Sequence, residues 1–316
     1  MPSHIFGPVP SRRLGLSLGI DLVPFKTCTL DCIYCELGKT ATPVSQRAEY
    51  VPFAELETEI REFFRNDPNA QGIDFITLSG SGEPTLNTAL PRVIKLLRQL
   101  SKTPIALLTN GTLFSRPEVR AEVLDVDLIL PSLDVVSEEV FAALNRPAAG
   151  LKSRDIIDGL VALRREYSGK IWLEILICAG INDTPTEIEQ LIQAAAAIQP
   201  DKIQLNTVVR PGALAEAKAV TETFLKQILS RFSPVAEIIA PFNNQGGKRT
   251  VIEKTKEMIL ATLKRRPCTV EDLKNVLDLK KVEVIKILDL LLEKDEIKTA
   301  EHAGKHYFQT VDNSDD

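Results

Sequence analysis

The sequence predicts an α/β fold: a partial (βα)6 TIM-like barrel over residues 1–240, followed by a small C-terminal winged-helix domain. Three observations predict it. Short β-branched or aliphatic runs alternate with amphipathic helical stretches from Leu16 to about Val209, the pattern of repeated βα units around a parallel sheet. The polar, turn-rich stretch Pro241-Phe-Asn-Asn-Gln-Gly-Gly-Lys-Arg249 then breaks the rhythm. After it the order is helix, helix, helix, hairpin, which is that of a winged-helix module.

Taken in order, strands are expected near 16–22, 73–79, 104–109, 126–132, 171–178 and 202–209. Helices are expected near 53–66, 87–100, 117–124, 137–144, 153–168 and 184–198, with one near 221–232 closing the domain. An eight-fold barrel needs about 250 residues, so six units point to an open or partial barrel. Residues 241–250 read as a linker. Residues 251–310 hold helices near 251–265, 270–277 and 280–293, with Thr269 as N-cap of the second, and two short strands around Ala303-Gly304. The acidic tail 311–316 reads as disordered.

With 44% hydrophobic and 26% charged residues, the chain has the composition of a globular protein rather than a disordered one. A net charge of −5 gives no global reason for binding nucleic acid. MPSHIFGPVPSRRLG lacks the apolar centre of a signal peptide, and no run of about 18 apolar residues occurs, so a cytoplasmic protein without a membrane anchor is expected. The five cysteines, at 28, 32, 35, 178 and 268, form a poor disulfide framework; three clustered thiols point to metal or catalysis.

Cys28-Thr-Leu-Asp-Cys32-Ile-Tyr-Cys35 follows directly on the first strand, placing three thiols at the C-terminal mouth of the barrel, where such folds carry their active sites. Thiolates suit iron-sulfur clusters or zinc. Zinc wants four protein ligands, or three plus water, and no fourth Cys or His is local. A cubane held by three cysteines leaves one iron open for another molecule. A structural zinc loop or incidental cysteines are the other readings.

The CxxxCxxC spacing, with aromatic Tyr34 before the last cysteine, resembles the radical S-adenosylmethionine superfamily. The resemblance implies a [4Fe-4S] cluster on Cys28, Cys32 and Cys35, S-adenosylmethionine chelating the open iron with Tyr34 among the residues binding the cofactor, and an electron donor such as flavodoxin or ferredoxin. It also implies reductive cleavage to a 5′-deoxyadenosyl radical that abstracts hydrogen from a substrate. Ser79-Gly80-Ser81-Gly82-Glu83-Pro84 resembles the superfamily's Gly-Gly-Glu-Pro turn, with Ser81 in place of one glycine. Gly80 and Gly82 would let the backbone approach the cofactor, and the Glu83 carboxylate would accept from its ammonium. Capping a strand-to-helix turn is the other reading.

Strand alternation sorts the remaining candidates. On the third strand Thr109 is expected to follow Ile105 and Leu107 inward; by resemblance, the Thr109-Asn110-Gly111 turn lines the cofactor, capping or turn chemistry being the alternative. On the fourth, Leu128, Leu130, Ser132 and Asp134 share a face. By resemblance, Ser132 and Asp134 contact ribose or substrate, turn chemistry being the alternative. On the fifth, Trp172, Glu174, Leu176 and Cys178 oppose an aliphatic face, which puts Glu174 inside as a candidate cofactor or substrate ligand. On the sixth, Gln204, Asn206 and Arg210 share the inner face; Asn206 and Arg210 are substrate candidates, Arg210 through an anion or an internal carboxylate. Cys178 reads as a core residue. Arg12 and Arg13 read as an ion-pairing stretch or as an anchor for a phosphate or carboxylate.

Residues 5–240 resemble an uncharacterised iron-sulfur oxidoreductase branch related to tRNA wyosine-base synthases. Those carry a second cluster on additional N-terminal cysteines, and no cysteine precedes Cys28 here. In residues 246–310, 14 Lys or Arg face 11 Asp or Glu, a mixed surface. The apolar positions of the third helix read as the module's own core, and His302 and His306 as a surface hairpin rather than a zinc site. A tRNA, peptide or small-molecule substrate remains open, a macromolecule being delivered by the winged helix. The alternative function is an iron-sulfur redox-responsive regulator binding nucleic acid through that module.

Overall fold

The structure, a computed structural model, describes residues 4–11, 13–40, 42–66, 72–210, 212–232, 235–240, 256, 259–260, 262–263, 267–277, 281–302 and 305–311. The chain divides into two compact units: Met1–Pro8 with Arg12–Pro241, and Val9–Ser11 with Phe242–Asp316.

The large unit is built on an eight-stranded sheet whose strands follow sequence order. They are β1 (Ile5–Ser11), β2 (Gly15–Ile20), β3 (Phe75–Leu78), β4 (Ile105–Thr109), β5 (Leu128–Pro131), β6 (Lys170–Ile177), β7 (Lys202–Thr207) and β8 (Ala236–Ile238). From β2 to β8 every pairing is parallel. Between them run α1 (Phe53–Asn66), α2 (Leu90–Leu100), α3 (Pro117–Glu122), α4 (Glu138–Leu144), α5 (Ser153–Glu166), α6 (Pro185–Ile198) and α7 (Glu222–Leu229). The mostly parallel α/β order expected from the alternating pattern is therefore present. Helix starts carry local signals: Thr184 accepts from the Glu187 N–H ahead of Pro185, and Thr221 from the Phe224 N–H.

Two strands escaped the pattern. Residues 5–11, where no strand was expected, form β1, and the three-residue β8 extends the far end of the sheet. Both lie at sheet edges, where half the ladder is missing and few apolar residues are needed.

Side chains alternate about the sheet. On β6, Ile171, Leu173, Ile175 and Ile177 are buried, and each such aliphatic contributes about 1.5–3 kcal/mol. The opposite face sends Trp172 into an interior cluster with Leu14, Ala106, Leu128 and Leu130. Leu108 packs on the same cluster, so Ala106 and Leu108 face inward on β4, not Ile105 and Leu107 as alternation led us to expect. In a parallel sheet both faces are apolar, and a four-residue aliphatic run, Ile105–Leu108, does not say which is which.

In the small unit, α8 (Val270–Leu277), α9 (Lys281–Leu292) and the antiparallel pair β9 (Ile297–His302) and β10 (Lys305–Thr310) follow helical residues at 256, 259–260 and 262–263. Their core gathers Ile259, Cys268, Leu273, Val284, Leu288 and Ile297. Thr269 caps α8 reciprocally: its Oγ1 accepts from the Asp272 N–H, and Asp272 Oδ2 accepts from the Thr269 N–H. The linker 241–250, most of the helix near 251–265, the turn at 303–304 and the tail beyond Val311 lie outside the described residues. Among the described residues no helix is long and apolar enough to cross a membrane.

Candidate active site

The cysteine loop leaves the C-terminal end of β2 and is clamped from two sides by backbone hydrogen bonds. On one side Lys26 N–H donates to Ser81 O at 2.6 Å and Glu83 N–H to Thr27 O at 3.0 Å. On the other, Asp31 N–H donates to Asn145 O, Ile33 N–H to Leu144 O and Ala148 N–H to Thr29 O. An irregular loop thus acquires strand-like pairing from segments far away in sequence.

Each thiol has its own N–H donor. Asn110 Nδ2 lies 3.5 Å from Cys28 Sγ, Asn145 Nδ2 3.3 Å from Cys32 Sγ, and Lys26 Nζ 3.3 Å from Cys35 Sγ. Burial pushes the Cys28 thiol up to about 11, with the Glu83 charge adding to it, and pushes Cys32 up as well. A buried thiolate is therefore costly unless a cation offsets it. Asn110 and Asn145 are held in turn: Asn110 Nδ2 also donates to Thr29 Oγ1, and its Oδ1 accepts from Thr112. Asn145 is the C-cap of α4.

The turn after β3 explains its glycines. A Cβ at Gly82 would stand 1.9 Å from Thr27 O, and one at Gly80, with φ 148°, 2.5 Å from Asp21 Cγ. Asp21 Oδ2 accepts from the Ser81 N–H. Both glycines are demanded by the chain's own close approach to the cysteine loop, not only by room for a ligand. Glu83, 2% exposed, accepts from the Thr85 N–H and hydroxyl, the Thr109 hydroxyl at 2.7 Å and the Asn110 N–H at 2.7 Å. Burial raises its carboxyl above the usual range. Its carboxylate ties the β3 turn to the β4 turn, a job its expected role as ammonium acceptor did not include.

A cavity of about 260 Å³ opens beside the loop, lined by Cys28, Gly80, Gly82, Glu83, Thr109, Asn110, Ser132 and Glu174, among others. Arg13, which also lines it, donates to Glu174 Oε2 at 2.6 Å, while Asn206 Nδ2 donates to Glu174 Oε1 at 2.8 Å. Arg13 is thus an internal ion-pair partner; Arg12 lies outside the described residues.

Three expected members, Tyr34, Asp134 and Arg210, sit elsewhere. Asp134, on β5's continuation, is buried beneath the cysteine loop, accepting from the Tyr34 hydroxyl, the Leu176 N–H and Asn145 Nδ2. Burial pushes its carboxyl up to about 6. It and Tyr34 line a smaller void of about 50 Å³ with Asn145 and Phe141. Arg210, expected on the inner face of β7, lies beyond the strand's end at Thr207. Its side chain is 65% exposed and pairs with Glu36 at 2.7 Å. The aliphatic run 208–209 suggested a longer strand, but the ladder stops first. Cys178 is fully buried in its own turn, its N–H donating to Asn182 Oδ1.

Sequence reading missed Lys26 and Asn145. Lys26 had a signal, a cation two residues before the first cysteine. Asn145 had none beyond its place at a helix end.

An α/β sheet carrying a three-thiol loop and a polar cavity at the C-terminal ends of its parallel strands has the layout of a barrel-type enzyme's active site. The radical SAM superfamily model matches residues 22–195, and the chain belongs to that superfamily. A Brachyspira hyodysenteriae protein described as GTPase Obg is 34% identical over 297 residues, 93% of this chain and 43% of its own length. A UPF0026 protein of Methanocaldococcus jannaschii is 30% identical over 308 residues, 96% of this chain and 94% of its own. Streptococcus suis SuiB, solved bound to S-adenosylmethionine, superposes with a TM-score of 0.51 at 14% identity, over 72% of this chain and 51% of SuiB. The chain thus spans less than half of the first relative and about half of SuiB; the latter likeness shows the fold alone.

Proposed function

We propose that Cys28, Cys32 and Cys35 hold a [4Fe-4S] cluster and that S-adenosylmethionine occupies the 260 Å³ cavity beside it, making the protein a radical enzyme acting on a further substrate. The observation that carries this is the thiol environment: Cys28, Cys32 and Cys35 lie in one loop, each met by a separate N–H, and Cys28 lines a cavity walled by the Gly80–Glu83 turn. Soft thiolates whose charge is offset by iron and tuned by N–H donors fit that group. When bound, the cluster supplies the electron that breaks a carbon-sulfur bond of S-adenosylmethionine, and the resulting 5′-deoxyadenosyl radical abstracts hydrogen.

This chain's residues do the rest. Asn110 and Asn145 orient the thiols of Cys28 and Cys32. Gly80 and Gly82 bring the turn against the loop. Ser132 and the Glu174 carboxylate offer polar groups to ribose, amine or substrate. Tyr34, pinned by Asp134, closes the loop's underside.

The small unit, by its helix and hairpin order, is proposed to be winged-helix-like, and residues 1–240, 241–250 and 251–310 to be barrel, linker and module. In this reading the module presents a tRNA or peptide substrate, a small molecule being the other class.

Anaerobic reconstitution with iron and sulfide, then dithionite and S-adenosylmethionine, tests the reading. We expect about four irons and four sulfides per chain and 5′-deoxyadenosine as product. Fully loaded protein that yields none would overturn the enzymatic reading. Retention of iron after Cys28→Ala, Cys32→Ala or Cys35→Ala would overturn the ligand assignment.

A further inference from the structure

The three donors at the thiols are unequal. Asn110 and Asn145 are neutral amides, whereas Lys26 brings a full positive charge to Cys35. Its placement is built into the fold. The Lys26 backbone takes the left-handed region, with φ 66°, a conformation that a non-glycine residue holds only when its surroundings over-determine it. The N–H to Ser81 O bond supplies one constraint. At the far end, the ammonium donates both to Cys35 Sγ and to Gly38 O, bridging the thiol and the carbonyl of the loop that follows. The Gly38 N–H in turn donates to Cys35 O. Backbone and ammonium are fixed at both ends, so the charge is held at one corner of the three-thiol loop.

We infer that Lys26 is a positioning residue that raises the reduction potential of the cluster by stabilising the reduced, more negative state through the Cys35 thiolate. The inference rests on the cluster assignment above. One electron arrives from an external one-electron donor and stays on the cluster, whose charge becomes more negative by one. A fixed cation and N–H donor at a ligating sulfur favour that state over the oxidised one. The half-buried setting preserves the effect, because solvent screens it less than at an open surface. The amides at Cys28 and Cys32 provide hydrogen bonds without net charge, so the effect is concentrated at Cys35.

The experiment is an EPR-monitored redox titration of anaerobically reconstituted protein without S-adenosylmethionine, on wild type, Lys26→Met, Lys26→Gln and Lys26→Arg. Iron and sulfide are counted on every sample. Lys226→Met, which removes an exposed α7 lysine paired with Glu222, serves as control. Wild type that takes up no cluster refutes the cluster assignment itself, independently of Lys26. With clusters present, the midpoint is expected to move negative in Lys26→Met, less far in Lys26→Gln, and to stay at the wild-type value in Lys26→Arg and the control. At a fixed donor potential the reduced EPR signal per cluster falls in the same order. A Lys26→Met midpoint equal to wild type overturns the inference, and so does an arginine variant that shifts as far as methionine. Should Lys26→Met lose its cluster, the glutamine variant decides, since a midpoint does not depend on the fraction loaded.

Discussion

Replacing Gly82 with alanine forces apart the two segments that form the site. The new Cβ would stand 1.9 Å from Thr27 O, against the 3.0 Å that real Cβ atoms keep, so the backbones must separate by about 1.1 Å. That stretches the Glu83 N–H to Thr27 O bond, now 3.0 Å, to about 4 Å, beyond hydrogen-bond range. The lost bond costs about 0.5–1.5 kcal/mol and the overpacking about 1–3 kcal/mol, together about 1.5–4.5 kcal/mol. At about 2–4 °C per kcal/mol for a unit of this size, the Tm of the large unit should fall by roughly 3–18 °C. Because Lys26 N–H is bonded to Ser81 O in the same seam, iron retention should fall with it. Thermal unfolding by circular dichroism and iron content after anaerobic reconstitution measure both. Ser81→Ala, which keeps every backbone bond of the seam, should stay within about 0.5 kcal/mol of wild type. A Gly82→Ala protein with wild-type Tm and full iron would refute the idea that this glycine is set by the cysteine loop.

Three further outcomes follow from other contacts. Arg13→Gln, Glu174→Gln and the double variant form a cycle across a pair whose side chains are 17% and 18% exposed. Urea unfolding should show about 1–2 kcal/mol of coupling, and additivity would remove Arg13 from the cavity wall. Cys178→Ala should cost about 1 kcal/mol in the same measurement yet leave iron per chain unchanged; loss of iron would make Cys178 a ligand. Glu166, hydrogen-bonded through both oxygens to Arg120, has its carboxyl held below its ordinary value of 4.5. A depressed folded value means stability that is present above 4.5 and lost as pH falls through the folded value, so Glu166→Gln should flatten the acid limb of a Tm-against-pH curve. Half of that pair is exposed, and solvent screening keeps the effect small. Identical slopes for variant and wild type would count against it.

Much of the molecule was legible residue by residue. The six central strands and the helices from α1 to α7 were placed to within a few residues because hydrophobic period, caps and prolines are written locally. So was the three-cysteine loop, since CxxxCxxC needs no knowledge of the rest of the chain. Glu174 on β6 and Asn206 on β7 were also read as interior, because on each strand one face is aliphatic and the other is not.

What the sequence alone determined, then, is the order of elements and the identity of the thiols. Tertiary structure decided which face of β4 points inward, for a parallel strand buried on both sides carries no alternation to read. It also decided that Arg13 pairs with Glu174 across 161 positions, that Arg210 stays at the surface, and that Asn145 and Lys26 stand over Cys32 and Cys35. Lys26 is nine residues from Cys35, but the other partners meet only when distant segments are packed together, and a hydrogen bond between those leaves no period or spacing along the chain. The loop's chemistry is local; the environment that tunes its three sulfurs belongs to the fold.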